Sequence, residues 1–421
     1  MSKEYTLIHP DISAGKGRAG KLIEELAQLY RNGECEDGSE IAAVVSLLTS
    51  EDILSNITYQ SLQSGPIKLL CDQFTAFITK NVNPQDQFLV RFAKEQSVNQ
   101  IPLFVGGLAS ATGALFAALS AADVQGGEVI TTSLNYVGVP NSIVLAGATP
   151  RFVDIDAKSL CMDPESVDKA INDKTKAILL THVNRFVDIE PFYDIIKRRG
   201  LDIPLIQDAS LAIGSTLRGM HPGFINIGKG GSTVFSLAIS KIISGLGGAI
   251  FCTNDGGFLN RVMNIAYQGA SLINPEELDT HGANIKMNAM SAVIAKEMLK
   301  RHEQIFDRRR KLKMLYDELL SSGVKDGSIV LQQVDDETVM THYPILVKDR
   351  ASLAKKLYEK YNIMLGLWHV LHMQGIYAGS KAALPLTESI KERITFLPFH
   401  TKISDEDAKY ICKAVLEETK E

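Results

Sequence analysis

One lysine is distinctive because of its apolar surroundings. Lys241 is the only charged residue between Lys229 and Asp255, in the segment STVFSLAISKIISGLGGAIFCTND. Burial in such surroundings lowers the pKa of a lysine and leaves a neutral amine, which can act as a nucleophile. Schiff-base chemistry requires an amine of this kind. On this segment alone, a lysine that extends to solvent from a strand edge is an equally good interpretation.

Three further features fit the same chemistry when they are taken together. Asp208 ends the apolar run PLIQD, where a carboxylate can pair with the protonated ring nitrogen of pyridoxal phosphate. The segment Ser110-Ala111-Thr112-Gly113 precedes a predicted helix, Ala114–Ala121, and hydroxyls at a helix N-terminus can hold a phosphate. Tyr136 follows the run EVITTS and can stack on a flat ring. Each feature is common by itself, but their order along the chain is specific.

The middle of the chain alternates between short apolar runs and amphipathic segments, which indicates βαβ units and a mainly parallel sheet. The strands are predicted at 128–133, 151–155, 177–182 and 204–208, and the helices at 139–146, 164–172 and 189–199. Two further strands, 233–238 and 249–253, have little chain between them for a crossover helix, so we expect a mixed sheet. Ligands of such sheets bind at the carboxyl ends of the strands.

The rest of the chain predicts two more units. A helical pattern runs from about Ala289 to Ser321, followed by strands at 329–332 and 343–347 and helices at 351–361 and 405–418. Ser404 and Asp407 form a loose capping box at the last helix. We therefore expect an N-terminal extension with an amphipathic helix at 20–30 (residues 1–50), a large domain (51–305) and a smaller C-terminal α+β domain (306–421).

Composition excludes several classes of protein. The 421 residues carry a net charge of −5, and 22% of them are charged, which gives no basic surface for nucleic acid. The uncharged stretch from Ile101 to Ala122 is rich in small residues and predicts a glycine loop and a buried helix, not a membrane span. Five scattered cysteines without a CxxC pair, and no apolar leader, favour a reducing cytoplasm.

Two motifs point to other chemistry but lack the necessary context. Gly15–Gly20 matches GxGxxG, but the preceding YTLIHPDIS is too polar for the strand that a dinucleotide fingerprint needs. His369 and His372 have no carboxylate or third imidazole nearby in sequence, so a polar lining or surface pair is favoured and no metal site is expected.

From about Ser64 to Leu416 the chain resembles the DegT/StrS-type sugar aminotransferases. The similar segments include SATGAL, GGEVITTSLNYVGVPNSIVLAGATPRFVDID, PLIQDASLAIGS, TVFSLAISKIISGLGGAIFCTND and GANIKMNAMSAVIAKEML. The resemblance implies the aspartate-aminotransferase fold, pyridoxal 5'-phosphate as cofactor and a homodimer with shared active sites. It also implies transfer of an amino group from an amino acid, glutamate by resemblance, to a keto sugar or related ketone.

The resemblance also assigns roles to individual residues. Lys241 would form the Schiff base, Asp208 would pair with the ring nitrogen, and Tyr136 would stack on the ring. The phosphate would be held by Ala111, Thr112 and Ser236. Asn284, in the segment GANIK, would reach the cofactor of the partner subunit.

Several positions depart from the family pattern. Gln207 replaces a glutamate, Leu211 replaces a glutamine or histidine, and Leu246 replaces the glutamate of GEGG. Asn284-Ile285-Lys286 stands for Asn-Tyr-Arg, and His182-Val183-Asn184-Arg185 stands for His-Leu-Tyr-Gly. Asn184 is our candidate for the hydrogen-bond donor to the cofactor that Leu211 cannot supply.

Three other functions stay open at this point. A sugar dehydratase or other lyase would use the same cofactor, although the related 3-dehydratases have histidine in place of the lysine. A nicotinamide-dependent oxidoreductase would use Gly15–Gly20. A catalytically idle regulator that binds the cofactor is disfavoured because Lys241 and Asp208 are both present.

Overall fold

The computed structural model describes Val44 and residues 65–419, apart from 272, 273, 275 and 381. The helix expected at 20–30, Gly15–Gly20 and the extension at 1–50, apart from Val44, lie outside the described residues. No helix in the described part of the chain is both long enough and apolar enough to cross a membrane.

The centre of the fold is a seven-stranded sheet. Its strands are β1 (Phe104–Leu108), β2 (Glu128–Thr132), β4 (Thr149–Val153), β5 (Thr175–Thr181), β6 (Leu205–Asp208), β7 (Ser232–Ser236) and β8 (Ala249–Thr253), and the short β3 (Leu134–Asn135) lies outside it. The order is β1-β8-β7-β6-β5-β2-β4, and only β8 runs against its neighbours. The predicted mixed, mostly parallel sheet is therefore confirmed.

Helices cover both faces of this sheet. They are α1 (Gly65–Thr79), α2 (Gln87–Glu95), α3 (Ala111–Ala121), α4 (Gly138–Leu145), α5 (Pro164–Ala170), α6 (Glu190–Arg198), α7 (Gly256–Ala266) and α8 (Ala289–Lys300). Helix α3 is almost entirely Ala, Leu and small residues, and it packs against α4, α7 and the sheet. Because a helix without a polar face can be stable only when it is surrounded, α3 forms the centre of one core cluster.

Strand β1 corrects the expectation of a glycine loop after Ile101. Gly106 and Gly107 lie within the strand and pair with Phe251 and Ile250 of β8. A Cβ atom at Gly107 would lie 2.9 Å from the Ile67 side chain and 3.0 Å from the sulfur of Met287. The glycine therefore allows other segments to pack directly on the strand, and this close approach cannot be read from local sequence.

The C-terminal part contains a second core around a three-stranded sheet. It comprises α9 (His302–Leu319), α10 (Ser321–Asp326), β9 (Val330–Leu331), β10 (Tyr343–Leu346), α11 (Arg350–Tyr361), β11 (His369–Val370), α12 (Pro385–Ile390), β12 (Ile394–Leu397) and α13 (Asp405–Thr419). β10 lies between β12 and β9, whereas β11 pairs with β3. The core of this part is formed by residues from Leu312 to Val415. The boundaries at 50/51 and 305/306 stay predictions.

Two expectations at helix ends have opposite outcomes. The single helix expected from Ala289 to Ser321 is interrupted at Arg301, and the ring of His302 donates a hydrogen bond of 2.7 Å to the Leu299 carbonyl at the break. The capping box is confirmed: the N–H of Asp407 donates to Ser404 Oγ at 3.0 Å, and the N–H of Ser404 donates to Asp407 Oδ2 at 3.1 Å.

Candidate active site

Six of the seven strands in the large sheet have their carboxyl ends at the same edge. β2, β4, β5, β6 and β7 are parallel, and β1 runs in the same direction because it is antiparallel to β8, which is antiparallel to β7. The carboxyl ends of these strands therefore bring Ser110, Asp208 and Ser236 to the same edge. This is the edge at which open α/β sheets bind ligands.

Lys241 lies on the loop that follows β7, and the loop is fixed by backbone hydrogen bonds. Its own N–H donates to Ala238 O at 2.9 Å, and the N–H of Gly245 donates to Leu237 O at 2.8 Å. The N–H of Gly248 donates to Ala109 O at 2.9 Å, so the loop is tied to the segment that starts α3. The sheet edge thus positions the lysine backbone rigidly.

The Lys241 amine has no carboxylate within 4.0 Å and no side-chain hydrogen bond among the described residues. Burial lowers its pKa, and the nearby Asp208 carboxylate opposes this change. At any given pH, a larger fraction of this lysine is therefore neutral than of an exposed lysine. This environment agrees with the nucleophile that the sequence predicts.

Asp208 is a buried carboxylate at the end of β6, with only 5% of the residue exposed. Its Oδ1 accepts the N–H of Ser210 at 3.0 Å. Burial raises the pKa of the carboxyl, whereas hydrogen bonds from Ser210 and the charge of Lys241 lower it. No ion pair to Asp208 within 4.0 Å exists in the described part of the chain. A cationic ligand atom beside Asp208 would offset the free-energy cost of burying its negative charge.

The segment after β1 forms the N-terminus of helix α3, where backbone N–H groups are free to bind a ligand. Ser110 is the N-cap of α3, and its Oγ accepts the N–H of Gly113 at 3.1 Å. Ala111 and Thr112 form the first turn, so their backbone N–H groups are not used by the helix. Ser236 is buried at the end of β7, and its Oγ accepts the N–H of Ala238 at 3.3 Å, which leaves its hydroxyl proton available. Such groups suit a phosphate.

Tyr136 lies beside this helix turn with 66% of the residue exposed. A Cβ atom on Gly138 would clash with Thr112 Oγ1 and would lie 2.9 Å from the Tyr136 ring. The absence of a side chain at Gly138 therefore lets the tyrosine ring and the threonine hydroxyl approach each other. An open aromatic face next to a phosphate-type helix turn is suited to a flat ring that carries a phosphate.

Asn184 has an environment that the sequence did not suggest. It is fully buried, its φ is 66°, and its Oδ1 accepts the N–H groups of Thr341 at 3.1 Å and His342 at 3.0 Å. Its Nδ2 donates to Gln332 Oε1 at 2.8 Å. These three bonds join the sheet edge to the C-terminal part. That Asn184 also reaches a cofactor stays a prediction.

Two departures from the family pattern have structural explanations. The Gln207 amide bridges the buried ring of His182, at 3.1 Å from Nε2, and the Ile225 carbonyl, at 3.0 Å. Leu211 is 6% exposed, and its carbonyl accepts the hydroxyl of Thr341 at 2.9 Å. Neither contact involves Lys241.

Two other positions lie at the surface of the chain. Leu246 is 65% exposed with a φ of 58°. Asn284 is exposed and pairs with Tyr267, while Ile285 O accepts the N–H of Ala109. The segment that holds Asn284 thus packs beside the start of α3.

The sequence interpretation missed His342 and Arg309. Both line a cleft with Lys241, although they lie far from it in the sequence. His342 directly precedes the apolar strand β10, and nothing in its local sequence separates it from a surface histidine. Among the described residues, no group of three or more His, Cys, Asp or Glu side chains could hold a metal ion.

A half-buried lysine on the loop after β7, a buried aspartate at the end of β6 and a helix N-terminus suited to phosphate define the class: an α/β protein with a lysine and an aspartate at the carboxyl edge of its sheet. The chain belongs to the DegT/DnrJ/EryC1/StrS aminotransferase family, whose model matches residues 91–416. The expected family, fold class and aminotransferase activity are therefore confirmed.

Curated and solved relatives agree with this assignment. The chain is 26% identical over 348 residues to GDP-perosamine synthase of Escherichia coli O157:H7, covering 82% of this chain and 92% of the relative. It is 29% identical over 320 residues to the pleiotropic regulatory protein of Geobacillus stearothermophilus, covering 74% and 84%. The PMP form of the putative sugar aminotransferase Spr1654 from Streptococcus pneumoniae has a TM-score of 0.76 at 22% identity, covering 91% and 95%.

Proposed function

We propose that this aminotransferase uses pyridoxal 5'-phosphate to move an amino group from an amino acid, glutamate in the first instance, to a keto sugar. The relation between Lys241 and Asp208 carries the proposal: a lysine whose pKa is lowered by burial and a buried carboxylate without an ion-pair partner within 4.0 Å among the described residues lie at the same edge of the sheet. The helix turn at Ala111 and Thr112 and the open face of Tyr136 complete a seat for a phosphorylated aromatic ring.

Each residue has a distinct task in this proposal. Ala111, Thr112 and Ser236 would hold the phosphate, Tyr136 would cover one face of the ring, and Asp208 would keep the ring nitrogen protonated. When bound, pyridoxal phosphate supplies an electron sink for the carbon from which the amino donor loses a proton. Lys241 Nζ accepts that proton as a neutral amine and returns it as an ammonium group, and its lowered pKa suits both directions.

The support for the keto-sugar acceptor comes from the relatives. GDP-perosamine synthase, which is named for an amino sugar product, aligns with 82% of the chain. The presence of lysine at position 241 favours amino transfer over dehydration. A lysine with a lowered pKa at the same sheet edge as Asp208 also argues against an idle regulator, because regulation by cofactor binding requires no proton acceptor at this place.

The sharpest test compares wild type with Lys241→Ala, and Lys229→Ala is the control for loss of an exposed lysine. Each protein is incubated with pyridoxal phosphate, reduced with borohydride and mapped by peptide mass spectrometry. We expect the reduced adduct on Lys241 in wild type and in Lys229→Ala, and no adduct and no turnover in Lys241→Ala. A reduced adduct on another lysine, or a protein that binds only nicotinamide, would overturn the proposal.

We further propose a homodimer with shared sites, supported by the exposure of Asn284 on a segment that packs beside the start of α3. If Asn284 crosses to the partner's site, mixing Lys241→Ala with Asn284→Ala subunits produces heterodimers in which one site carries both changes and the other carries neither. Activity should then recover on mixing. Confirmed heterodimers without activity would exclude a shared site.

A cytoplasmic location, consistent with the four described free thiols, belongs to the same proposal.

A further inference from the structure

A cleft of about 950 Å³ opens between the Lys241 loop and the C-terminal part of the chain. None of its lining residues is acidic. Seven of them carry basic or imidazole side chains, namely Lys241, Arg301, Arg308, Arg309, His342, His400 and Lys402. A concave site lined by groups of one sign concentrates ligands of the opposite sign. The side of Lys241 that faces this cleft is therefore suited to an anionic ligand.

Arg309 fixes a positive charge in the wall of this cleft. It is 6% exposed, and its Nη1 donates to Met340 O at 3.0 Å and to Thr341 O at 3.1 Å. No carboxylate lies within 4.0 Å of it in the described ranges. Burial lowers its pKa to about 10, so it stays protonated at neutral pH. Its charge acts beside His342, the residue that follows Thr341.

His342 is held in a defined position from three sides. Its backbone N–H donates to Asn184 Oδ1 at 3.0 Å. Its ring packs against Phe396 at 5.3 Å and against Trp368 at 6.2 Å between ring centroids. Burial, together with the charges of Lys241 and Arg309, lowers the pKa of the imidazole to about 4. The ring is therefore neutral at pH 7 and offers one N–H donor.

We propose that His342 is a donor-binding residue, whose imidazole receives the carboxylate of the amino donor opposite Lys241. This inference rests on the proposed function and deepens it. The carboxylate of an amino acid is bonded directly to the carbon whose proton Lys241 takes, so this anion must come close to the lysine. The cleft provides there an imidazole N–H and the field of Arg309, and it places no carboxylate in the way.

The second observation that supports this assignment is the fixed geometry of His342. A binding group is effective when its own position is determined before the ligand arrives. The Asn184 bond comes from the sheet edge that carries Lys241, whereas the histidine belongs to the C-terminal part. The hydrogen bond between Asn184 and the backbone of His342 therefore fixes the distance between the His342 backbone and the sheet edge that carries Lys241. A histidine that only filled space would not need this fixed distance.

The test uses His342→Phe, with His342→Gln as the conservative variant and His221→Phe as the matched control. His221, like His342, is a partly buried histidine whose pKa burial lowers to about 4, but it lies near Phe77 and His302, outside the Lys241 cleft. Two readouts are measured on the cofactor-loaded protein: the half-saturation and limiting rate for L-glutamate, and the fluorescence of Trp368 during titration with glutarate. Trp368 is the only tryptophan of the chain, so its emission reports on His342.

We expect His342→Phe to raise the half-saturating concentration of L-glutamate by about 10-fold or more, because a hydrogen bond to a charged group is lost. The limiting rate should change by less than about 3-fold, because a contact that binds the ground state and the transition state equally affects the half-saturation and not the rate. Glutarate should quench or enhance Trp368 emission in wild type and His221→Phe but not in His342→Phe, and His342→Gln should restore part of the affinity.

An unchanged half-saturation for L-glutamate in His342→Phe, or an unchanged response to glutarate, would overturn the inference. So would a rise of the same size in His221→Phe, because it would reveal a general effect of losing a partly buried histidine. Failure of the proposed function would be recognised separately. In that case wild type itself would not transfer an amino group from L-glutamate and would give no borohydride-stable adduct on Lys241.

Discussion

The amide oxygen of Asn184 accepts the backbone N–H of His342 at 3.0 Å; Asn184 follows β5 of the seven-stranded sheet, and His342 directly precedes β10 of the three-stranded sheet. The same oxygen also accepts the N–H of Thr341 at 3.1 Å. One buried side chain thus satisfies two backbone donors at the entry to β10 and fixes this strand against the edge that carries Asp208.

Replacing Asn184 by alanine should therefore destabilise the protein strongly. Asn184→Ala leaves the N–H groups of Thr341 and His342 and the Gln332 Oε1 atom without their partner, and it places alanine at a φ of 66°. We expect a loss of about 2–4 kcal/mol in the free energy of unfolding, measured by urea denaturation. Asn362→Ala is the control: its φ is 54°, but Asn362 is exposed, so we expect about 1 kcal/mol or less. Equal losses would contradict the bridging role.

Removing the charge of Asp208 should change both catalysis and the titration of Lys241. The carboxylate raises the pKa of Lys241 against the effect of burial, so Asp208→Asn should lower that pKa further. Competitive acetylation of the apoprotein, with exposed Lys229 as the internal reference, should show a midpoint at lower pH in the variant. Turnover should fall by roughly 100-fold or more, because charge stabilisation in the reaction is lost. A midpoint that moves to higher pH would disprove the assigned coupling.

His182 predicts a specific dependence of stability on pH. Its buried ring accepts the N–H of Val187 at Nδ1 and meets Gln207 Oε1 at Nε2, and burial lowers its pKa from 6.5 to about 4. The unfolded chain binds a proton to this residue below pH 6.5 and the folded protein does not, so stability falls as the pH decreases from 6.5 towards 4. Near pH 5 the contribution lost is about 2 kcal/mol.

The measurement compares the pH dependence of unfolding in wild type, in His182→Asn and in His369→Asn. His182→Asn should be less stable than wild type at pH 7, and the difference should shrink towards pH 4. His369 is exposed, so its replacement should leave the wild-type profile unchanged. A constant difference between wild type and His182→Asn would show that the ring does not titrate in this range.

Leu211 is buried beside the Asp208 strand and cannot donate a hydrogen bond. If it lies near the phenolic oxygen of the cofactor, Leu211→Gln should stabilise the phenolate and lower the pKa of the cofactor-bound chromophore in a spectral titration. Leu211→Met controls for the change in packing. If Asn184 supplies that donor instead, Leu211→Gln should shift the pKa little, whereas a rise in pKa would contradict both expectations.

Local sequence was sufficient for most elements of the large sheet and for proposing the two principal candidate site residues. Apolar runs alternating with amphipathic segments predicted β5, β6 and β8 to within about two residues, because periodicity is a local property. Lys241 and Asp208 could be proposed as site residues because each is a charge inside an apolar segment. The Ser404 and Asp407 cap was equally readable, since both partners lie within one helical turn.

The tertiary structure decided the features that depend on residues far apart in the chain. Gly107 lies in a strand because Ile67 and Met287 pack on it, and the helix from Ala289 is interrupted at Arg301. Asn184, His342 and Lys241 meet only through the folding of the C-terminal part onto the sheet edge. Contacts of this kind are absent from any local pattern, because they arise from the packing of elements whose separation along the chain carries no periodic signal. The sequence by itself therefore determined which chemistry the sheet edge can perform, and the packing of the C-terminal part determined which groups face it.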